Sequence, residues 1–527
     1  MPTYSTFQTW LDAPVTTKIY LVTVTLRYVS GGAVLTEKLY LSNHAYNTTA
    51  SESPASTEFL TVLQDEDIPS FDLNLSSFFF GIGAPAFGAL VVGNADGEMD
   101  AKLPPTREWE GGEIEVKLTG ARDELALANA KVVLKGVIGK ILESTENTIK
   151  WEIFSRLKEL ERKKFPMTTF TAPNGELTLE PVLYGYAQNI EPILKDAVTT
   201  TNIIYKVTGH ALTDITDVYD NGVALTLTTQ WVKDLANGEF ALKQQPVGKI
   251  TCNAKGKSTK YPGDYSEQRF DFIADALETY GEVKSADFDY PSFSAGNADV
   301  SGPTWIYVKE ETSVLEFVTT LLTPVLGWLY FDREGKAFTG ILKTSSGTPA
   351  LTLTANELLP LSGADASADV TRTSSAELLL FRSSLGYDQN GTVQSEDSIG
   401  ASGAVDPSTR AGRERREWLK SEWRFTEKEL TGAAQGRSLY PTAGEQQVPS
   451  YFRNKADADA FSQTWLDFFG VSRRVINCKA NVQPLQRNPH DVIRITDGRF
   501  FSSLDTRLIS YKENYGENVV EMQLLVI

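Results

Sequence analysis

Apolar and polar residues alternate at the strand period over much of the first third of the chain. Residues 22–28 and 113–118 each place an apolar side chain at every second position, which is typical of strands with one buried face. The second run follows Glu110-Gly111-Gly112, a natural hairpin turn because glycine tolerates positive φ. These patterns predict an antiparallel, β-barrel-like domain over residues 1–165.

The alternation stops near the end of this segment. Trp151, Phe154 and Leu157 precede a dense charge run that ends at Pro166, and proline stops a helix. We therefore predict that residues 151–164 form a linking helix. Its charge run, 159–164, mixes signs, which favours a solvated helix face over a basic contact patch.

Residues 166–258 return to the β pattern. Tyr186, Tyr205 and Tyr219 fall among β-branched residues, a composition that suits a pleated, half-buried surface. The turn sequences Asp220-Asn221-Gly222 and Asn237-Gly238 separate the short runs. This segment is predicted to be an all-β domain.

Residues 259–348 change to the helical period. Apolar residues at helical spacing run up to Gly281, and a second set runs up to Gly327. Ser313 and Glu316 form a capping pair for the second helix, and residues 328–339 predict a hairpin. The segment is predicted to be a small inserted α+β domain, with its aromatic residues in the core.

Residues 349–527 are predicted to form a second β-barrel-like domain. A mobile loop is expected near 387–412, which is rich in Ser, Gly, Asp and Gln. Arg410, Arg413, Arg415 and Arg416 follow it, interleaved with glutamates, which favours an ordinary charged element over an anion grip. A helix closed by Gly470 and strands ending at 519–526 complete the segment. The fold class is thus mainly β, multidomain, with β-barrel or β-sandwich domains.

Length and charge limit the function classes. A chain of 527 residues is too long for one core, so three or four domains are expected. No apolar run approaches the ~20 residues that cross a bilayer, and no secretion signal begins the sequence, so we expect synthesis in the cytoplasm. The formal charge of −18 disfavours a grip on nucleic acid. An acidic channel would let DNA slide through, although many proteins are simply acidic.

The sequence predicts no catalytic or cofactor-binding residue. His44, His210 and His490 lack a nucleophile elbow nearby. Gly81-Ile82-Gly83 lacks the rest of a nucleotide loop and is predicted to be a bend. A glycosidase needs two carboxylates, which an acidic chain always offers.

No metal ligand is predicted either. Asn94, Asp96, Glu98 and Asp100 alternate as in a calcium loop, but the distal glutamate and flanking helices are missing, so a turn is favoured. The same interpretation covers Asp214, Asp217 and Asp220. The two cysteines, Cys252 and Cys478, are predicted to be buried thiols, with a disulfide between domains as the alternative.

Several motifs together resemble the baseplate hub, or tail tip, proteins of long-tailed bacteriophages. These motifs are 183–192 (LYGYAQNIEP), 218–226 (VYDNGVALT), 237–242 (NGEFAL), 246–251 (PVGKIT), 87–100 (FGALVVGNADGEMD) and Asp497-Gly498-Arg499-Phe500. The resemblance covers most of the chain in the order of its parts.

The resemblance implies a structural virion protein at the tail tip, assembled in the host cytoplasm. It implies a homotrimer whose two β-barrel domains per subunit, the first and fourth segments, give six similar domains around the tail axis. Implied partners are distal tail and tail-tube proteins, the tape-measure protein, and tail fibre or tip proteins, with DNA passing through unbound.

Some hubs of this kind hold an iron–sulfur cluster, which needs about four thiolates, and this chain has two cysteines. No cofactor is therefore carried over. Two alternatives stay open: the hub of a contractile injection machine, and an extracellular carbohydrate-binding or carbohydrate-cleaving multidomain β protein. The missing secretion signal counts against the second.

Overall fold

The computed structural model is mainly β and multidomain, as the sequence predicts. It describes residues 3–13, 16–63, 70–75, 80–199, 202–343, 347–360, 370–374, 379–399, 405–431, 436–481, 487–496, 503–514 and 518–527. The hub-like turn Asp497-Gly498-Arg499-Phe500 lies outside these residues. Within them, no helix is both long and apolar enough to span a membrane.

Strands dominate the first segment. They are β1 Ile19–Ser30, β2 Ala33–Ser42, β3 Tyr46–Asn47, β4 Glu58–Thr61, β5 Phe71–Asn74, β6 Gly81–Gly93, β7 Glu113–Thr119, β8 Lys131–Ser144 and β9 Thr148–Phe154. The predicted runs 22–28 and 113–118 lie inside β1 and β7.

The middle of the chain contains shorter strands. They are β10 Lys164–Phe165, β11 Thr169–Thr171, β12 Leu177–Leu179, β13 Val182–Tyr184, β14 Tyr186–Ile190, β15 Ile193–Thr199, β16 Asn202–Lys206, β17 Asp214–Asp220, β18 Val223–Ala224, β19 Trp231–Asp234, β20 Glu239–Leu242, β21 Ile250–Lys255, β22 Ile306–Val308, β23 Thr312–Ser313, β24 Gly327–Phe331 and β25 Ala337–Ile341.

The last segment adds further strands. They are β26 Leu351–Thr354, β27 Leu358–Leu359, β28 Val370–Ser374, β29 Leu380–Tyr387, β30 Arg424–Phe425, β31 Lys428–Glu429, β32 Gly444–Phe452, β33 Arg474–Asn481, β34 Val492–Thr496, β35 Leu504–Asn514 and β36 Val519–Val526.

Within the described ranges, helices are few and mostly short. The α-helices are α1 Phe7–Leu11, α2 Arg156–Arg162, α3 Arg269–Thr279, α4 Tyr290–Asp299, α5 Val314–Leu322, α6 Arg410–Lys420 and α7 Lys455–Phe469. The 3-10 helices are Asp100–Lys102, Leu127–Asn129, Ser285–Asp287, Thr323–Val325, Glu396–Ser398 and Gly436–Ser438. The two helices predicted to stop at Gly281 and Gly327 are α3 and α5, and the helix closed by Gly470 is α7.

The terminal segments share one sheet. Neighbouring strands pair in the order β4, β2, β1, β7, β8, β9, β6, β5, β35, β36 and β33. The join is antiparallel, with Asn74 of β5 opposite Ser510 of β35. One hydrophobic core lies against this sheet and draws residues from both ends of the chain, including Trp151 and Leu524. The described strand ladders do not include a closed barrel.

Residues 186–255 form a two-sheet unit. One sheet has the order β14, β21, β17, β18, and the other has the order β15, β16, β20, β19. Trp231, Phe240 and Cys252 are among the residues of their common core. Strand β17 buries one face against the facing sheet, whereas β21, which lies between β14 and β17, is buried on both faces.

The predicted α+β segment packs between the others. Its hairpin, β24 and β25, pairs antiparallel as predicted, and β24 also pairs in parallel with β6 of the first segment. Helices α3 and α5 bury their apolar faces in a core shared with α7. The Ser313 hydroxyl accepts a hydrogen bond from the Glu316 amide at 3.1 Å, which caps α5.

Two local predictions are wrong. Trp151 and Phe154 lie in strand β9, so the helix is limited to α2. Gly81-Ile82-Gly83 is strand rather than bend, because it pairs with β24, and a Cβ on Gly83 would lie 2.9 Å from Tyr330 Cβ.

The loop expected near 387–412 is described in part. Its residues 388–399 include the buried Asn390, and α6 begins at Arg410.

Candidate functional site

Asn94, Asp96, Glu98 and Asp100, which alternate as in a calcium loop, form a turn. The Asn94 amide donates to Asp100 Oδ1 at 2.7 Å, and its Oδ1 accepts the Met99 amide at 2.9 Å. Asp96 accepts the Glu98 amide at 3.0 Å, and Gly97 has a φ of 74°. The oxygens therefore serve the loop itself. Among the described residues, no cluster of three or more His, Cys, Asp or Glu is placed to hold a metal ion.

Asp214, Asp217 and Asp220 of the two-sheet unit also have structural partners. Asp214 pairs with Lys233 at 2.6 Å, and Asp217 accepts the Asn253 amide at 3.0 Å. Asp220 accepts the backbone amides of Val247 and Gly248, both at 2.7 Å. Asp220 thus ties two of the hub-like motifs, 218–226 and 246–251, to each other.

The cysteines lie apart in different cores. Cys252 is in the core of the two-sheet unit and Cys478 is in the core of the terminal sheet, and both are free thiols. Burial raises the pKa of both thiols, that of Cys478 to about 12. Neither thiol is poised for nucleophilic chemistry, because the reactive form is the thiolate.

The arginines after residue 409 lie on α6 and bind within the chain. Arg410 pairs with Glu414 at 2.8 Å, and Arg416 pairs with Glu396. Arg413 donates to the backbone carbonyls of Pro407 and Ser408. Arg415 lies 4.2 Å from the ring centroid of Trp418. The interpretation as an ordinary charged element agrees with these contacts.

The histidines are not gathered at one place. His210 Nε2 accepts the Leu183 amide at 3.2 Å, and His44 is exposed. His490 is buried with a φ of 68°, and its ring stacks on Trp328 with centroids 4.9 Å apart. Burial, and then the Arg507 guanidinium, lower the pKa of His490 to about 3.

This lowered pKa predicts a loss of stability in acid. The unfolded chain binds a proton at His490 below pH 6.5, whereas the folded chain does not until about pH 3. Stability is therefore lost as the pH falls through this window, by at most about 1.4 kcal/mol per pH unit. In urea unfolding at stepped pH, His490→Asn is expected to lose less stability than the parent chain. Parallel pH profiles of the two proteins would contradict this.

The clearest built features are buried polar sites that join the segments. At the Arg333 site, the Arg333 guanidinium in the β24–β25 turn forms a buried ion pair with Glu513 of β35, and its Nε lies 2.7 Å from Glu513 Oε2. The same guanidinium lies 5.4 Å from the Phe71 ring of β5 and 4.9 Å from the Tyr511 ring. This site joins the α+β segment to both halves of the terminal sheet.

The Asn189 site joins the two-sheet unit to the last segment. Asn189 has a φ of 53°. Its side-chain Nδ2 donates to Asn390 Oδ1 at 2.6 Å and to the Thr392 carbonyl at 3.0 Å. Asn390 in turn donates to the Leu419 carbonyl at the end of α6, at 3.0 Å. Both asparagines are fully buried, so this contact excludes water.

The Arg269 site joins α3, α5 and β32. Arg269 is fully buried, and it donates to the carbonyls of Leu321, at 2.6 Å, and Ser450. Its guanidinium lies 4.8 Å from the Phe452 ring centroid. Burial lowers its pKa to about 9. Sequence analysis missed all three sites, because each depends on residues more than fifty positions apart.

Comparison with solved structures finds likenesses at low sequence identity. No protein-family model and no curated protein sequence matches the chain. The solved structures it resembles include the tail protein from Neisseria meningitidis MC58 (9% identity, 96% of each chain, TM-score 0.40). They also include the 43 kDa tail protein of prophage MuSo2 from Shewanella oneidensis (10% identity, 95% of this chain and 96% of that chain, TM-score 0.40).

A third structure is prophage tail protein gp18 from Listeria monocytogenes EGD-e, with 6% identity, 95% of this chain, 94% of that chain and a TM-score of 0.34. All three are named as tail proteins.

Proposed function

We propose that this protein is a structural virion protein, the hub of a phage tail baseplate that joins the tail tube to the tail tip. The observation that carries the proposal is where the hub-like motifs lie. Motifs 183–192, 218–226 and 246–251 supply strands to one sheet, β14, β21, β17 and β18, and motif 237–242 supplies β20 of the facing sheet. Motifs scattered over seventy residues thus build one compact unit.

The role we propose is mechanical and involves no catalysis. Buried contacts at the Arg333, Asn189 and Arg269 sites hold separate segments of the chain in one body, which suits a part that transmits force within an assembly. The aspartates of the 94–100 turn and of the two-sheet unit, the arginines of α6 and the two cysteines take part instead in turns, hydrogen bonds, ion pairs and cores.

The hub would act as a homotrimer that forms a ring. The terminal sheet leaves apolar side chains exposed at the tips of two of its hairpins, where Val29 and Val34 are 73% and 69% exposed and Leu142 is 48% exposed. Exposed apolar patches commonly mark protein interfaces. We assign these hairpin tips to subunit contacts. In a trimer, the parts of the terminal sheet that come from the first and fourth segments would supply the six similar β domains of the ring.

The ring would form part of the DNA conduit. The formal charge of −18 supports passage without binding, because affinity for DNA comes mainly from Lys and Arg contacts to phosphates. Distal tail and tail-tube proteins would lie on one side, tail fibre or tip proteins on the other, and the tape-measure protein along the axis. The site of action would be the tail tip of the virion.

Light scattering coupled to size exclusion tests the assembly. The chain has a mass of 58.1 kDa, and we expect a particle of three times that mass. A monomer at all concentrations that also binds glycans on an array would overturn the proposal in favour of the carbohydrate-binding alternative.

A further inference from the structure

A cleft opens between two strand edges on the side of the α+β segment. Near Thr304 the edge of the β22 strand contacts β32, since Thr304 bridges Phe452 and the Arg453 amide donates to the Pro303 carbonyl at 3.0 Å. Tyr451 has a φ of 61°, and from there β32 leads away to pair with β29. The two strands therefore separate like the sides of a wedge.

The β22 side of the wedge presents unpaired backbone groups. Among the described strands, β22 pairs only with β13, with Tyr307 opposite Leu183. The Leu183 amide donates to His210 Nε2, so Leu183 and Tyr307 are the non-hydrogen-bonded kind of antiparallel pair. The N–H and C=O of Tyr307 then point to the opposite edge, into the cleft.

Two adjoining cavities of about 360 and 540 Å³ fill the wedge, and they share Thr320 and Tyr451. The first runs along the backbone of residues 305–310, and the second lies between α5 and β32. Gln389 Oε1 and Trp305 Nε1, on residues lining the first cavity, are buried without a hydrogen-bond partner. Buried polar atoms of this kind normally have a partner.

The charges on the cleft favour a cationic occupant. Glu161, Glu310 and Glu316 line it, and none of them forms an ion pair within the described residues. Lys309 is a positive residue that lines the first cavity. Its ammonium lies 5.3 Å from the Tyr307 ring centroid. Thr319 and Thr323 bond their hydroxyls back to helix carbonyls, so α5 offers methyl groups to the cleft.

We propose that this cleft binds an extended, lysine- or arginine-containing peptide segment of another polypeptide, which adds a strand to the β22 edge. Backbone hydrogen bonds to Tyr307 supply the affinity, as in other cases of strand addition. The rim carboxylates select positive side chains. The inference does not depend on the hub assignment, since it rests on the open edge, the cavities and the charges.

The test uses a short synthetic peptide of alternating lysine and valine, titrated against the full chain by fluorescence anisotropy. Hydrogen exchange is expected to slow at residues 305–310 when the peptide binds. The same peptide with N-methylated backbone amides is expected to bind about tenfold more weakly, since it can no longer donate a hydrogen bond to the Tyr307 carbonyl. A glutamate–valine peptide should bind more weakly still.

Protein variants separate this site from general attraction to an acidic surface. Glu310→Lys is expected to weaken binding about two- to fivefold, whereas Glu98→Lys, the same charge change on an exposed turn outside the cleft, should leave it unchanged. No binding at millimolar peptide would overturn the proposal. So would equal binding of the N-methylated peptide, or exchange rates at residues 305–310 that the bound peptide leaves unchanged.

Discussion

Glu513→Ala is expected to lower the free energy of unfolding by about 3–5 kcal/mol. Glu513 is fully buried and Arg333 is 6% exposed, so removing the carboxylate leaves a guanidinium charge in the protein interior without its counter-ion. Urea unfolding followed by tryptophan fluorescence measures the change. The effect should be large because the Arg333 site joins the α+β segment to both ends of the chain.

Two further variants show whether the cost comes from breaking this buried ion pair. Asp505→Ala, on the same strand, breaks the Arg494–Asp505 pair at 2.7 Å, which is partly exposed and should cost only about 0.2–1 kcal/mol. The double change of Arg333→Met with Glu513→Leu removes both charges and should recover most of the lost stability. Equal losses for Glu513→Ala and Asp505→Ala would contradict the account.

Trp151→Ala is expected to cost about 3–5 kcal/mol, because it leaves a large cavity in the core of the terminal sheet. Trp151 is 1% exposed and stacks on Trp109, with ring centroids 4.7 Å apart and planes 4° apart. Trp109 is in turn fixed by a 2.6 Å hydrogen bond to the Lys102 carbonyl. The same urea experiment measures the loss.

Leu177→Ala is the matched apolar truncation at the surface, since Leu177 is 74% exposed. It should change the free energy of unfolding by no more than about 0.5 kcal/mol. A stability of Trp151→Ala close to that of Leu177→Ala would show that the terminal sheet does not depend on this core.

Local elements of the fold could be predicted where one face is buried. Strands β1 and β7 and helices α3, α5 and α7 follow from their periodicities, since a repeating pattern reflects burial of one face. Ile149, Trp151 and Ile153 also repeat at the strand period, and this pattern predicts β9. The charged residues that follow Phe154 belong to α2. Because they directly follow β9, the charge run did not indicate that the strand ends at Phe154.

Long-range pairing could not be predicted in this way. The β5–β35 ladder joins residues more than four hundred positions apart, and periodicity shows that a strand has a buried face without showing its partner. The amino-acid composition likewise did not indicate that Asn390 is buried. It lies in a stretch of low hydrophobicity, yet its side chain is buried and forms hydrogen bonds with Asn189 and with the end of α6.

Electron microscopy of the purified protein tests the central claim most directly. The hub account predicts threefold rings, with the two-sheet units repeated around an axial opening and the apolar hairpin tips of the terminal sheet buried between subunits. Particles of one chain, or assemblies without a threefold axis and an open centre, at the concentrations where a ring should form would contradict it.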